Sequence, residues 1–381
     1  MRILAVGGGS GGHVTPVVAV LKEIRKHHPR AQLRFWCDFS FYTQARATVN
    51  VFDATMPVQR IVAGKFRRYH HLTVRQQLLW PSLVLKNIRD GFLVLAGFIQ
   101  SLFKLIIWRP DVVFTKGGFV CLPVGFAAHL LRIPLVIHDS DAHPGLTNRI
   151  LSRWATSIGT GAPLEFYHYD KARAHYVGIP VDESIHPLNA REQKQAKAEW
   201  GIDPERPLLV VTGGGLGAQR INDVISTTLK QLLEFTSVVL VSGTAQYEEL
   251  KGELPENSDQ FQLHSFVTGM PRLLGAADVV ITRAGATTLL ELAALKKPSI
   301  LIPNAKLTGG HQLKNADVYA AKKAVIVLNE EHIEAAPHRL VEVVQQLLDH
   351  PKETNAMAAR FYTFSRPNAA RDMADLILAA R

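Results

Sequence analysis

The sequence predicts an α/β protein built of two doubly wound parallel-sheet domains, and three observations carry that prediction. A strand, a glycine loop and a helix follow one another as RILAV, GGGSGGH and VTPVVAVLKEIRKHH, and the same order returns in the second half as PLLVV, TGGGLGAQ and RINDVISTTLKQLL. Strand-like runs then alternate with helical stretches in both halves, which is the pattern of parallel sheets with crossover helices. The 381 residues also exceed one average domain and fit roughly two or three.

The elements follow in order. RILAV opens the first sheet, and LRFWCD supplies its next strand. DVVFTKG and PLVIHDS are short apolar runs that end in polar residues, as are DVVITRAG and SILIPNA in the second half, where SVVLVSG adds another strand. Ligands of open α/β sheets bind beyond the carboxyl ends of the strands, so these polar endings are the places to look for chemistry. The segment YVGIPVDESIHPLN combines glycine, two prolines and polar residues, which marks a boundary. We place an N-terminal domain at 1–180 and a C-terminal domain at 181–364. RPNAARDMADLILAAR reads as an amphipathic helix, over about 365–381, that packs back on the first domain.

Composition narrows the function classes. Hydrophobic residues make up 47% and charged residues 20%, as in an ordinary soluble globular chain. Cys37 and Cys121 are the two cysteines, too few for a disulfide framework or a four-ligand zinc site, which implies a reducing compartment. MRILAVGGG lacks the regions of a signal peptide. Residues 1–180 hold 22 Lys and Arg against 9 Asp and Glu, and residues 181–381 hold 21 against 24, so the whole net charge of +10 comes from the first half. A one-sided basic field calls for an anionic partner.

GGGSGGH (Gly7–His13) lets the backbone turn tightly and present N–H groups at a helix N-terminus, a setting for an anion. The loop lacks the dinucleotide fingerprint, and a plain βα turn reads the same way. His13 closes it, either as a general base kept neutral by the helix N-terminus or as a cap of that helix. HDSDAH places Asp139 and Asp141 two apart between histidines. They either hold a divalent ion or cap the next helix, and we expect the cap and no metal.

Residues 64–80, GKFRRYHHLTVRQQLLW, mix Phe66, Tyr69, Leu79 and Trp80 with Arg67 and Arg68. Aromatic rings and cations together suit an anionic membrane surface. No RRM, KH or helix-turn-helix signature accompanies them, so nucleic acid is not expected. GFLVLAGFIQSLFKLII (91–107) sits at the lower limit for a membrane span and contains Gln100 and Lys104; we expect a buried or partly interfacial crossover helix.

Taken together, Gly7–His13 with Pro16, GGFVCLP at 117–123, HDSDAHPGLTN at 138–148, GGGLGAQRIN at 213–222, RAGATTLLELAALKKPSILIP at 283–303 and GGHQLKNA at 309–316 resemble the MurG family over nearly the whole chain. That resemblance implies a GT-B fold, two Rossmann-like domains facing across a cleft. It implies inverting transfer of N-acetylglucosamine from UDP-GlcNAc to a lipid-linked muramoyl-pentapeptide pyrophosphate, without cofactor, on the cytoplasmic face of the cell membrane as a peripheral protein in peptidoglycan synthesis. It assigns the nucleotide sugar to Gly215, Val267, Ala286, Thr287, Thr288, Leu289, Leu290, Glu291 and Gln312. The acceptor side falls to Ser10, Gly11, Gly12, His13, Gly117 and Gly118, with His13 and Asp141 as the catalytic candidates. Three positions depart from the family pattern: Asp141 replaces an asparagine, Asp182 an arginine and Gly215 a serine. The alternatives are a glycosyltransferase for another lipid-linked acceptor and a UDP-GlcNAc 2-epimerase-like isomerase.

Overall fold

A computed structural model of the chain describes residues 1–9, 11–67, 73–181, 185–214, 217–305 and 310–381. Ser10, Arg68, Tyr69, Asp182 and Gly215 lie outside the described residues. The chain forms two compact units, Met1–Asp182 with Leu307–His311 and Arg366–Arg381, and Glu183–Lys306 with Gln312–Ser365.

The first unit carries strands β1 (Arg2–Val6), β2 (Gln32–Asp38), β3 (Val58–Ile61), β4 (Val112–Thr115), β5 (Leu135–Asp139), β6 (Ser157–Thr160) and β7 (Ala174–Tyr176). They pair in the order β3-β2-β1-β4-β5-β6-β7, all parallel. Helices cover both faces. Thr15–His27 packs on one side through Val17, Val20, Leu21 and Ile24, together with Met373, Ala374 and Ile377 of the helix Ala369–Ala379. That last helix approaches the sheet closely at Gly159, where a Cβ would lie 2.6 Å from the Met373 sulfur. The other face is covered by Pro81–Ile107 and Cys121–Leu130.

The second unit carries β8 (Leu208–Thr212), β9 (Ser237–Val241), β10 (Phe261–His264), β11 (Val279–Thr282), β12 (Ser299–Leu301) and β13 (Ile326–Val327), in the order β10-β9-β8-β11-β12-β13. These strands are parallel too. β4, β8, β9 and β11 are buried along their whole length, which is why they read as unbroken apolar runs instead of alternating ones.

In each sheet the strand order reverses at one place, between β1 and β4 and between β8 and β11. A crevice forms at such a point because the two connections leave toward opposite faces. Both points close in the same way at their amino ends. Asp111 Oδ2 accepts from the Arg2 N–H at 2.8 Å, and Asp278 Oδ2 accepts from the Leu208 N–H at 2.8 Å.

The helix Pro81–Ile107 takes the second of the two expectations for 91–107, a partly interfacial helix over a buried one. It runs 27 residues, and only 22% of its most apolar stretch is buried. Leu83, Asp90, Gly97, Ser101 and Leu105 face inward, while Leu85, Ile88, Phe92, Leu95, Ile99 and Phe103 are exposed. Steps of three and four residues place those six on one stripe. Gln100 and Lys104 serve the edge strand: Gln100 accepts from the Val62 N–H at 2.9 Å, and Lys104 donates to Gln59 Oε1 at 3.0 Å. A sheet edge left with bare polar groups invites pairing with another chain, and these two side chains cover it. Among the described residues this is the one helix long and apolar enough to cross a membrane.

Candidate functional site

In the first unit the polar residues gather at the carboxyl ends of β1, β4 and β5. The glycine loop after β1 is held by Asp38 at the end of β2, which accepts from the Gly9 N–H at 2.7 Å, from the Phe41 N–H at 3.1 Å and from the Ser40 hydroxyl. Glycine is required here by space. A Cβ on Gly7 would lie 2.2 Å from the His13 carbonyl oxygen, and one on Gly8 would lie 2.3 Å from Asp38 Oδ1. Gly117 and Gly118, after β4, adopt φ of +94° and +86°, a region that side chains disfavour. They bring the second glycine loop against the first, so that a Cβ on Gly118 would lie 3.0 Å from the Gly8 carbonyl and 3.6 Å from His13 Cδ2.

His13 ends a short 3-10 turn, Gly11–His13. The helix Thr15–His27 begins at Val14 without a side-chain cap, so the capping role falls away. His13 Nδ1 is buried without a hydrogen-bond partner among the described residues. Burial, then the charge of Lys116, pushes the imidazole down to about 4, against the opposing pull of Asp141, the Lys116 backbone and Asp38. The ring is therefore neutral at physiological pH and able to take a proton.

Asp139 is buried and accepts from the Tyr169 hydroxyl at 2.7 Å. Its carboxyl is pushed up to about 7 by burial, and Asp141 adds to the rise. Neither aspartate caps the following helix, Leu146–Leu151, which starts at Gly145 with no side-chain cap. That corrects the capping expectation. His138 is fully buried, bonds the Gly178 carbonyl at 2.7 Å through Nε2, and is kept neutral by burial and by Lys116. Cys37 and Cys121 are buried thiols pushed up to about 12, mainly by burial, and so unreactive.

Lys116 was missed by the sequence reading. It follows β4 directly, is 1% exposed, and donates to the Ser140 hydroxyl. Burial pushes it down to about 8, opposed by Asp141 and Asp139. A signal existed: DVVFTKGG at 111–118 and DVVITRAG at 278–285 set a cation at the same step past each switch-point strand.

In the second unit the matching position is Arg283, buried, which donates to the Ile302 carbonyl at 2.9 Å and pairs with Glu330. After it, Gly285 opens the helix Ala286–Ala294 without a side-chain cap. The first-turn N–H groups of such an end face outward with the positive end of the helix dipole, a setting for phosphate. Ala286, Thr287 and Thr288 are partly exposed there, while Leu289 and Leu290 are buried and seat the helix. Glu291, partly exposed one turn in, is pushed up to about 7 by desolvation. Gln312 Oε1 accepts from the Asn304 N–H at 2.8 Å, which fixes its amide. Val267 is buried, next to Phe266 with 70% of its surface exposed. The glycine loop after β8 again has no room for side chains: a Cβ on Gly217 would lie 2.3 Å from the Ser242 carbonyl.

The expected membrane residues divide. Phe66, Leu79 and Trp80 are exposed. Arg67 is instead tied to buried Asp90 through its guanidinium and to Asn87 through its backbone N–H at 2.9 Å. Its cation is paired within the fold. The exposed stripe of Pro81–Ile107 is the larger apolar surface.

The sequence matches the glycosyltransferase family 28 N-terminal domain over residues 3–160 and the glycosyltransferase family 28 C-terminal domain over residues 208–376. It is 31% identical over 379 residues, 99% of both chains, to a UDP-N-acetylglucosamine--N-acetylmuramyl-(pentapeptide) pyrophosphoryl-undecaprenol N-acetylglucosamine transferase of Exiguobacterium. A Bacillus cereus transferase of the same description is 32% identical, covering 93% of this chain and 91% of that one. Among solved structures, Acinetobacter baumannii MurG superposes with a TM-score of 0.73 over 99% of both chains at 23% identity. The UDP-GlcNAc 2-epimerase of Neisseria meningitidis shares the fold with a TM-score of 0.70 at 12% identity, over the full length of both chains. The fold is thus GT-B, two Rossmann-like parallel-sheet domains.

Proposed function

We propose, for a chain that belongs to the MurG family of glycosyltransferase family 28, that it transfers N-acetylglucosamine from UDP-GlcNAc to a lipid-linked muramoyl-pentapeptide pyrophosphate with inversion. The observation that carries the reading is His13, an imidazole held neutral at the end of a glycine loop, in a chain aligned end to end with transferases of that description.

The first unit takes the acceptor, with its pyrophosphate on the N–H groups of Gly11, Gly12, Gly117 and Gly118. His13 accepts the proton of the attacking hydroxyl. The bond from that oxygen to the anomeric carbon forms as the bond from the anomeric carbon to the β-phosphate oxygen breaks, and UDP departs. The second unit takes the donor. The helix end at Gly285–Thr288 meets the diphosphate and stabilises the charge that grows on it. Glu291 accepts from the ribose hydroxyls, and Gln312 meets the sugar. Phe266 offers an exposed ring for the base beside Val267. The stripe of Pro81–Ile107, with Phe66, Leu79 and Trp80, rests on the cytoplasmic face of the membrane and holds the protein there as a peripheral enzyme.

The test is sugar transfer from labelled UDP-GlcNAc to the lipid-linked acceptor in detergent. Labelled lipid product supports the reading. Turnover of UDP-GlcNAc without any acceptor would replace it with an isomerase.

A further inference from the structure

Two turns of the second unit leave β8 and β11, neighbouring strands in register from Leu209↔Val279 to Thr212↔Thr282. Neither turn can hold itself. The helices that follow, Gln219–Leu232 and Ala286–Ala294, are entered through Ala218 and Gly285, which carry no side-chain oxygen to cap them. The glycines of each turn add conformational freedom of their own. In the first unit the equivalent loop is held by Asp38, which accepts directly from the Gly9 N–H. In the second unit the hold is indirect and comes from one carboxylate further along the chain.

That carboxylate is Glu330, which opens the helix Glu330–Ala335 and is 6% exposed. Its Oε1 pairs with Arg283, and its Oε2 meets Arg220 at 3.2 Å. Arg283 stands just before Gly285 at the start of one turn, and Arg220 stands just after Ala218 at the end of the other. Arg283 alternates with Val279 and Ile281, which share one core cluster with Ile221 and Ile333. Its guanidinium therefore lies on the face where the helices bearing Arg220 and Glu330 pack. Each arginine has a second anchor: Arg283 donates to the Ile302 carbonyl at 2.9 Å, and Arg220 Nε meets Glu334 at 3.1 Å.

We propose that Glu330 is a positioning residue for the donor: by joining Arg283 to Arg220 it sets the spacing between the two turns that meet the diphosphate. The inference rests on the second unit being the one that takes UDP-GlcNAc. Backbone N–H groups stabilise phosphate charge best when they are already in place as the ligand arrives. Two turns without side chains of their own gain that fixity from a shared buried carboxylate.

Charge and position predict opposite signs here. Glu330→Gln removes a negative charge beside the turns. Charge alone would then make a diphosphate bind more tightly. Lost spacing makes it bind more weakly, and the loss falls on the diphosphate more than on the nucleoside.

The test measures the affinity of the full chain for UDP and for uridine, by calorimetry and ligand-observed NMR, in wild type, Glu330→Gln and Arg220→Lys. The ratio of UDP to uridine affinity should fall about tenfold in Glu330→Gln. It should fall about threefold in Arg220→Lys, which keeps its charge but cannot span both Glu330 and Glu334. A general loosening of the fold would lower both affinities together and leave the ratio unmoved. An unchanged or raised ratio in folded Glu330→Gln would overturn the proposal. If Glu330→Gln does not fold, Arg220→Lys decides, since the Arg220 side chain is 32% exposed; an unchanged ratio there overturns the proposal as well. Wild type that binds UDP no better than uridine would instead remove the donor reading, and this proposal with it.

Discussion

The two switch points share a scaffold and differ in what they do with charge. Each begins with an aspartate that accepts from the first strand's N–H, runs through a buried Val-Val-x-Thr strand, and ends in a buried cation beside glycine. Even the threonines match: Thr115 and Thr282 both bury a hydroxyl without a partner among the described residues. In the second unit the cation is cancelled by Glu330, which Arg220 also meets at 3.2 Å. The titratable site candidate there is an acid, Glu291, shifted by desolvation alone. In the first unit the cation faces no carboxylate at contact distance among the described residues, and the shifted groups around it include His13, His138, Asp139 and Lys116 itself. A site that binds a diphosphate needs donors and a settled charge; a site that moves a proton needs groups whose charge is poised.

The largest effect that would break this division is at His13. Replacing it with alanine should lower kcat by about 10²- to 10⁴-fold, the usual worth of a general base, and leave UDP-GlcNAc affinity within about twofold by calorimetry. Wild-type turnover would show that the first unit does no proton chemistry through this residue. Glu291→Ala should do the reverse, weakening UDP binding by about tenfold to a hundredfold, since hydrogen bonds to a charged group contribute about 1.5–3 kcal/mol. The two units should also separate in pH. Ribose hydroxyls donate to the ionised carboxylate, and free Glu291 holds its proton up to about pH 7. UDP affinity should therefore rise with pH through about 7, with proton release visible as a buffer-dependent heat below it. The chemistry should fail only much lower, where His13 takes up a proton at about 4. The same carboxyl has the opposite sign for stability without ligand. Its folded value lies above the ordinary 4.5, so its contribution is present below that value and is lost as pH rises through about 7.

The surfaces of the units differ as sharply. In the second, large exposed apolar side chains such as Phe266, Leu313 and Tyr362 are far apart in sequence. In the first they line one helix, Pro81–Ile107, in helical register. A contiguous exposed stripe of that kind marks a docking face, whereas scattered residues need no explanation. Phe92→Ser should weaken partition onto anionic lipid vesicles by roughly tenfold, because burying one phenylalanine contributes about 1.5–3 kcal/mol. Phe266→Ser, at the same exposure, should leave partition unchanged. Equal losses from both would deny the stripe its role.

Much of this was legible in the sequence because parallel strands are buried on both faces. RILAV, DVVFT, LLVV and DVVIT are unbroken apolar runs, and the glycine loops after two of them mark where backbone must pass close to backbone. The site residues at those ends could be named one by one for the same reason. What the sequence hid was contact. Nothing in GKFRRYHH says that Arg67 reaches Asp90. Nothing in the apolar run 91–107 says that only one face meets the sheet, since a buried helix and a surface helix with an oily outer face share a composition. Lys116 looks like any strand-ending lysine until its burial is known.

The smallest effect tests the scaffold that the two switch points share. Asp111 and Asp278 accept the same backbone N–H, but Asp278 has further duties: it pairs with Lys197, which is 6% exposed, at 2.7 Å, and accepts from Gln193 at 2.9 Å. Removing a carboxylate leaves its buried partners unsatisfied at about 1–3 kcal/mol, while losing a hydrogen bond near the surface costs about 0.5–1.5 kcal/mol. Asp278→Ala should therefore destabilise by roughly 1 kcal/mol more than Asp111→Ala. Hydrogen exchange at Leu208 and Arg2 reads each N–H in place, without treating a two-unit chain as one transition. Equal losses of protection would mean that Lys197 relaxes to another acceptor, such as the Arg206 carbonyl it already meets at 2.8 Å, and that the aspartate's backbone bond alone is what the repeated string preserves.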